Sequence, residues 1–186
     1  MSTALLLIDL QKATVAGKAS PGRQPAIDAA YDAVAGRLAR VLYHARNNGT
    51  RVVIVQHDGG EGHRLQTGTG GWELRPEFAP LSSEMLIRKQ ASDAFFETTL
   101  GAYLSRLGIL RLVIGGCMTQ FCVDTTARSA VARGYDVTLL GDGHTTGDQG
   151  DLTFEQIIAH HNLTLDGFGA GMCDIGLAAC EAVFAA

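Results

Sequence analysis

Five short apolar runs, each followed by a longer amphipathic stretch, constrain this chain more than any other feature. They are residues 4–9 (ALLLID), 51–57 (RVVIVQH), 85–88 (MLIR), 111–116 (RLVIGG) and 136–141 (DVTLLG). Each is continuous rather than alternating, as expected of strands buried on both faces. Between them, Ile27, Ala30, Tyr31, Val34, Leu38, Val41, Leu42 and Ala45 keep helical spacing within 26–47. Asn47-Asn48-Gly49 then supplies a stop signal. Residues 97–107 end at Gly108 and 121–133 at Gly134 in the same way, and 153–161 form a fourth helical stretch. A sixth strand is expected near 170–175, where glycines dilute the pattern. This alternation predicts an α/β fold with a parallel sheet covered by helices on both faces. With no linker, repeat or low-complexity tract, residues 1–186 are expected to form a single domain.

Composition excludes several roles. Net charge is −4 and the basic residues form no run, which argues against nucleic acid as a partner. The longest apolar runs, about six residues, are too short to span a bilayer. Met-Ser-Thr leads directly into the first run, so no leader peptide is expected. Cys117, Cys122, Cys173 and Cys180 lack CxxC spacing, which suggests reduced thiols and a cytoplasmic location.

Open parallel sheets bind ligands beyond the carboxyl ends of their strands. Asp9 and Gln11 follow the first run, His57 and Asp58 the second, and Arg88 and Lys89 the third. Cys117, Thr119 and Cys122 follow the fourth, and Asp142 and His144 the fifth. Asp9 closes an apolar run, where partial desolvation suits a carboxylate to general-base work. Cys122 falls at the expected start of the helix 121–133, where free backbone amides and partial positive charge favour a thiolate. A nearby lysine such as Lys89 would act in the same sense. Each residue also has a plainer reading: a loop-bonding carboxylate, a surface lysine, a small buried thiol. Residues 59–71 form a loop with six glycines, long enough to suggest a lid.

Three blocks add to this reading: LLLIDLQ (5–11), RKQASDAFFETTL (88–100) and GGCMTQFCVDTTARSAVARGYDVTLLGDGHTT (115–146). Together they resemble the isochorismatase-like cysteine hydrolases, which include nicotinamidase and carbamoylsarcosine amidase. The resemblance implies a three-layer α/β/α, Rossmann-like fold with a six-stranded parallel sheet. It implies a catalytic triad of Asp9, Lys89 and Cys122, a cis peptide before Met118, and an oxyanion hole from the amides of Met118 and Cys122. The activity implied is cleavage of a C–N bond in a small amide, ureide or lactam, without a cofactor. A homodimer or higher homo-oligomer is also implied.

Gln11, Trp72, Phe95 and Phe96 are expected to contact substrate. The nicotinamidase branch resembles a metal-binding Asp-x-His motif after the second strand, whereas this chain reads His57-Asp58, with His63 further on. A ligand set from these three would need the loop to fold back, and no metal is expected. True isochorismatases generally lack the cysteine, so Cys122 favours C–N hydrolysis over vinyl-ether cleavage. Streptothricin-type lactam hydrolysis is one branch within reach. Two rivals remain: a magnesium-dependent phosphatase of the DxD type, weakened by Gln11 at the second acidic position, and a Cys–His hydrolase using His144 as base.

Overall fold

A computed structural model describes residues 2–20 and 22–184. Seven strands form one sheet in the order β3-β2-β1-β4-β5-β7-β6. They are β1 (Ser2–Ile8), β2 (Arg51–His57), β3 (Met85–Lys89), β4 (Ile109–Cys117), β5 (Asp136–Thr145), β6 (Gly169–Ala170) and β7 (Cys173–Ala178). The six longer strands are parallel, as expected. The two-residue β6 adds a short antiparallel edge that the apolar pattern did not reveal. The sixth parallel strand expected near 170–175 is β7, Cys173–Ala178, paired with β5.

Helices α1 (Gln24–Asn47), α2 (Leu100–Arg106), α3 (Asp124–Ala132) and α4 (Phe154–Leu165) flank the sheet. Leu5 and Leu7 of β1 pack with Val34, Leu38 and Leu42 of α1 on one face. Leu6 and Ile8 pack with Leu104, Ala127 and Val131 on the other. The period-two alternation of strand side chains thus feeds two apolar layers, which is why β1 reads as a continuous apolar run. At α4, Thr153 and Gln156 form a reciprocal capping box. Among the described residues, no helix is long and apolar enough to cross a membrane.

The expected helix 121–133 is two structures. A π-helical turn, Thr119–Val123, precedes α3. The strand feeding it needs its glycines. A Cβ on Gly116, where φ is 133°, would lie 2.1 Å from the Ile8 carbonyl oxygen. A Cβ on Gly115 would lie 2.8 Å from the Gly143 oxygen. Gly115-Gly116 lets β1 and β5 close on the end of β4, so that Cys117 and the turn after it emerge beside Asp9.

Candidate active site

Asp9 leaves β1 with φ of 51°, a left-handed conformation that Asp tolerates better than most residues. Its amide donates to the Val55 carbonyl at 2.9 Å, and its carbonyl accepts from Thr14 Oγ1 at 2.7 Å. Lys89 is the last residue of β3, and its side chain is fully buried. Its ammonium donates to Asp9 Oδ2 at 2.7 Å, Ala91 O at 3.0 Å and Cys122 Sγ at 3.1 Å. All three donors of the ammonium are used. Asp9 Oδ1 is buried and has no hydrogen-bond partner among the described residues.

The charge balance of this trio works against the pull towards a thiolate that the helix start and Lys89 were expected to exert. One ammonium already offsets the Asp9 carboxylate, and ionised Cys122 would place a second anion in the same buried space. Burial first, then Asp9, pushes the Cys122 thiol up to about 12 against the pull of Lys89. Burial opposes the charge on Lys89, but Asp9 and Cys122 outweigh it and raise its pKa. Cys122 is also the fourth residue of the π turn, not the opening residue of α3. The peptide between Cys117 and Met118 is cis.

The four residues expected to contact substrate lie in different surroundings. Gln11 is completely buried. Its Nε2 donates to the carbonyls of His57 (3.0 Å) and Trp72 (2.7 Å), and its Oε1 accepts from the His57 amide (2.9 Å). Both amide hydrogens are consumed in tying β1 to β2 and the glycine-rich loop. Trp72 Nε1 donates to Asp58 Oδ1 at 2.9 Å, and Arg88 stacks on its ring at 4.7 Å. Phe95 is core, stacked on Tyr135 at 5.8 Å. Phe96 is exposed and borders a hollow that it shares with Arg88, Lys89 and Glu97.

A cleft of about 220 Å³ opens onto Cys122 instead, lined by residues that include Lys18, His57, Arg64, Ser92, Met118 and Phe121. Arg64 had a sequence signal, as the one Lys or Arg in the glycine-rich loop 59–71. Lys18 had none. Nor do His57, Asp58 and His63 gather as ligands. Asp58 is held by Arg88 and Trp72, and His63 Nδ1 accepts from the Leu65 amide at 3.1 Å.

His144 is a strand residue fixed at both ring nitrogens, not a base facing the thiol. Asn162 Nδ2 donates to Gly141 O, so its Oδ1 accepts from His144 Nε2 at 2.9 Å. His144 Nδ1 then accepts the Thr119 hydroxyl at 2.9 Å. Burial pushes its pKa down to about 4. Cys117 is fully buried and, like Cys122, a free thiol, so the two form no disulfide.

A parallel sheet with this acidic, basic and thiol trio at its carboxyl edge defines the class. The isochorismatase domain model matches residues 3–158, and the chain belongs to that family. It is 38% identical over 145 residues to a streptothricin hydrolase of Streptomyces noursei, covering 78% of this chain and 50% of that protein. The chain thus spans about half the length of that relative. It is 30% identical over 171 residues to the maleamate amidohydrolase of Pseudomonas putida, covering 80% and 76%. The crystal structure of an isochorismatase from Pseudomonas putida superposes with a TM-score of 0.84 at 29% identity, covering 97% and 89%.

Proposed function

We propose that this protein hydrolyses a C–N bond of a small amide, ureide or lactam through a thioester on Cys122. The observation that carries the reading is the Lys89 ammonium, which bridges Asp9 Oδ2 and Cys122 Sγ in the buried trio. Relatives named for streptothricin hydrolysis and maleamate amidohydrolysis support C–N cleavage. The cleft volume lies below the roughly 300–1,000 Å³ of pockets for drug-sized ligands, which favours a small reacting group.

In this mechanism Asp9 Oδ1, left unpartnered, takes the thiol proton as sulfur attacks the carbonyl carbon. Lys89 holds the carboxylate in place and stabilises the negative charge passing through sulfur. The amides of Met118 and Cys122 receive the oxyanion. The protonated Asp9 then gives its proton to the leaving nitrogen as the C–N bond breaks. Asp9 next deprotonates a water that attacks the thioester; the C–S bond breaks, Asp9 passes the proton to sulfur, and the acid product leaves with the Asp9 carboxylate and the Cys122 thiol restored.

A panel of small amides and ureides, read by ammonia or amine release, identifies a substrate. With it, Cys122→Ala turnover should fall at least about a thousandfold, and intact mass should show an acyl adduct on the wild-type chain. Near wild-type turnover by Cys122→Ala would sink the reading.

A further inference from the structure

The cleft beside Cys122 carries a charge pattern that the proposed hydrolysis does not require. Lys18 and Arg64 line it, while Lys89, buried behind Cys122, is already paired with Asp9, the one carboxylate of the trio. No ion pair joins Lys18 or Arg64 to a carboxylate among the described residues. The cleft therefore holds a surplus of two positive charges in a chain whose net charge is −4. His57 and His63 add no negative charge, and burial lowers the pKa of both.

The Arg64 guanidinium is held in place rather than left to sweep through solvent. Arg64 Nε donates to the Thr14 carbonyl at 2.8 Å, and Nη2 lies 3.3 Å from the Met118 sulfur. Nη1 lies 3.4 Å from His63 Nε2. These neutral acceptors orient the guanidinium without neutralising it, and hydrogens on Nη1 and Nη2 remain for a ligand. The Lys18 backbone amide donates to Gln24 Oε1 at 3.0 Å, and its ammonium has no hydrogen-bond partner among the described residues. Gly147 makes room for the base of the Lys18 side chain: a Cβ there would lie 2.2 Å from Lys18 Cβ. Arg64 acts on Lys18 as a like charge, and burial and that repulsion both lower the Lys18 pKa.

We propose that Arg64 and Lys18 form an anion subsite that selects amides or ureides bearing a carboxylate, and holds that carboxylate while the carbonyl lies at Cys122. An anion there relieves the repulsion between two partly desolvated cations. The local field also raises the concentration of anionic substrate at the thiol. The proposal rests on the Cys122 reading for its catalytic meaning, but the subsite can be tested without turnover.

The test compares two alkylating agents of similar size and different charge, iodoacetate and neutral iodoacetamide. In each case the thiolate forms the C–S bond and iodide leaves. Rates at Cys122 are read by peptide mass at pH 9, and the iodoacetate-to-iodoacetamide ratio is normalised to that of glutathione. The ratio should exceed the glutathione value by roughly tenfold. It should fall severalfold in Arg64→Gln and in Lys18→Gln, and survive in Arg64→Lys, with circular dichroism confirming folding. A normalised ratio near one, or one indifferent to both glutamine variants, overturns the subsite. Once a substrate is in hand, an acid should outrun its neutral amide analogue, and Lys18→Gln should raise KM more than it lowers kcat. Equal turnover of the pair likewise overturns the proposal. Failure of the Cys122 reading appears separately, as turnover that survives Cys122→Ala.

Discussion

Lys89 Nζ meets Asp9 Oδ2 at 2.7 Å across a strand that separates their own two strands in the sheet. Asp9 follows β1 and Lys89 ends β3, with β2 between them. The pair closes over the end of β2, and the Asp9 amide itself bonds to Val55 of that strand. It joins residues 80 positions apart at the edge where the thiol emerges.

This burial makes the pair interdependent. Removing Lys89 leaves a carboxylate in a dry site with no counter-charge. Lys89→Met should cost about 3–5 kcal/mol in urea unfolding. The double variant Asp9→Asn/Lys89→Met should recover part of that loss. Simple additivity of the two single changes would contradict a coupled buried pair.

The resting thiol has its own signature. With Cys122 pushed up to about 12 from an ordinary 9.0, iodoacetamide labelling should keep accelerating above pH 9. At pH 7 the thiolate fraction is roughly a thousandfold below that of an ordinary cysteine. The raised folded pKa also fixes the sign of linkage. The unfolded chain releases this proton from about pH 9, while the folded chain holds it, so stability is lost as pH rises from 9 towards 12. A labelling plateau reached by pH 8 would show a resting thiolate instead.

Gln11 should behave as a structural cross-link. Gln11→Ala leaves the His57 amide and the His57 and Trp72 carbonyls short of a partner. The expected cost is about 2–3 kcal/mol, visible as a lower melting temperature. Unchanged stability with a raised KM would return Gln11 to a substrate-contact role.

His144 should tie stability to acid pH. Its folded pKa of about 4 lies below the ordinary histidine value of 6.5. The unfolded chain therefore takes up a proton below about pH 6.5 that the folded chain refuses. Stability is complete above that pH and is lost as pH falls towards 4, by about 3 kcal/mol from this group. His144→Gln should be less stable at pH 7 and flatter across this window in chemical denaturation. An unaltered acid slope would show that other groups carry it.

The strand and helix runs were legible because burial on two faces imposes a continuous apolar pattern. Asp9 was legible because it closes such a run at the ligand-binding edge, whereas Lys89, just past the run 85–88, was set apart from Arg88 only by the block 88–100. Cys122 needed the block 115–146 as well, since a thiol after a strand reads equally well as core. The π turn left no periodic trace, and Trp72 and Phe95 are aromatic residues whose outward or inward packing depends on partners far along the chain.

By itself, the sequence determined the parallel sheet, the edge where chemistry is placed and the three residue types that meet there. Local propensity and burial period are carried by neighbouring residues, so one strand's pattern suffices to reveal them. Only the tertiary structure decided that Gln11 is consumed by hydrogen bonds, that burial and Asp9 push the Cys122 thiol up, and that Lys18 and Arg64 line the cleft beside it. Those outcomes depend on distances and charge balance among segments remote in sequence, and only closure of β1 and β5 on the glycine pair of β4 brings Asp9, Lys89 and Cys122 together.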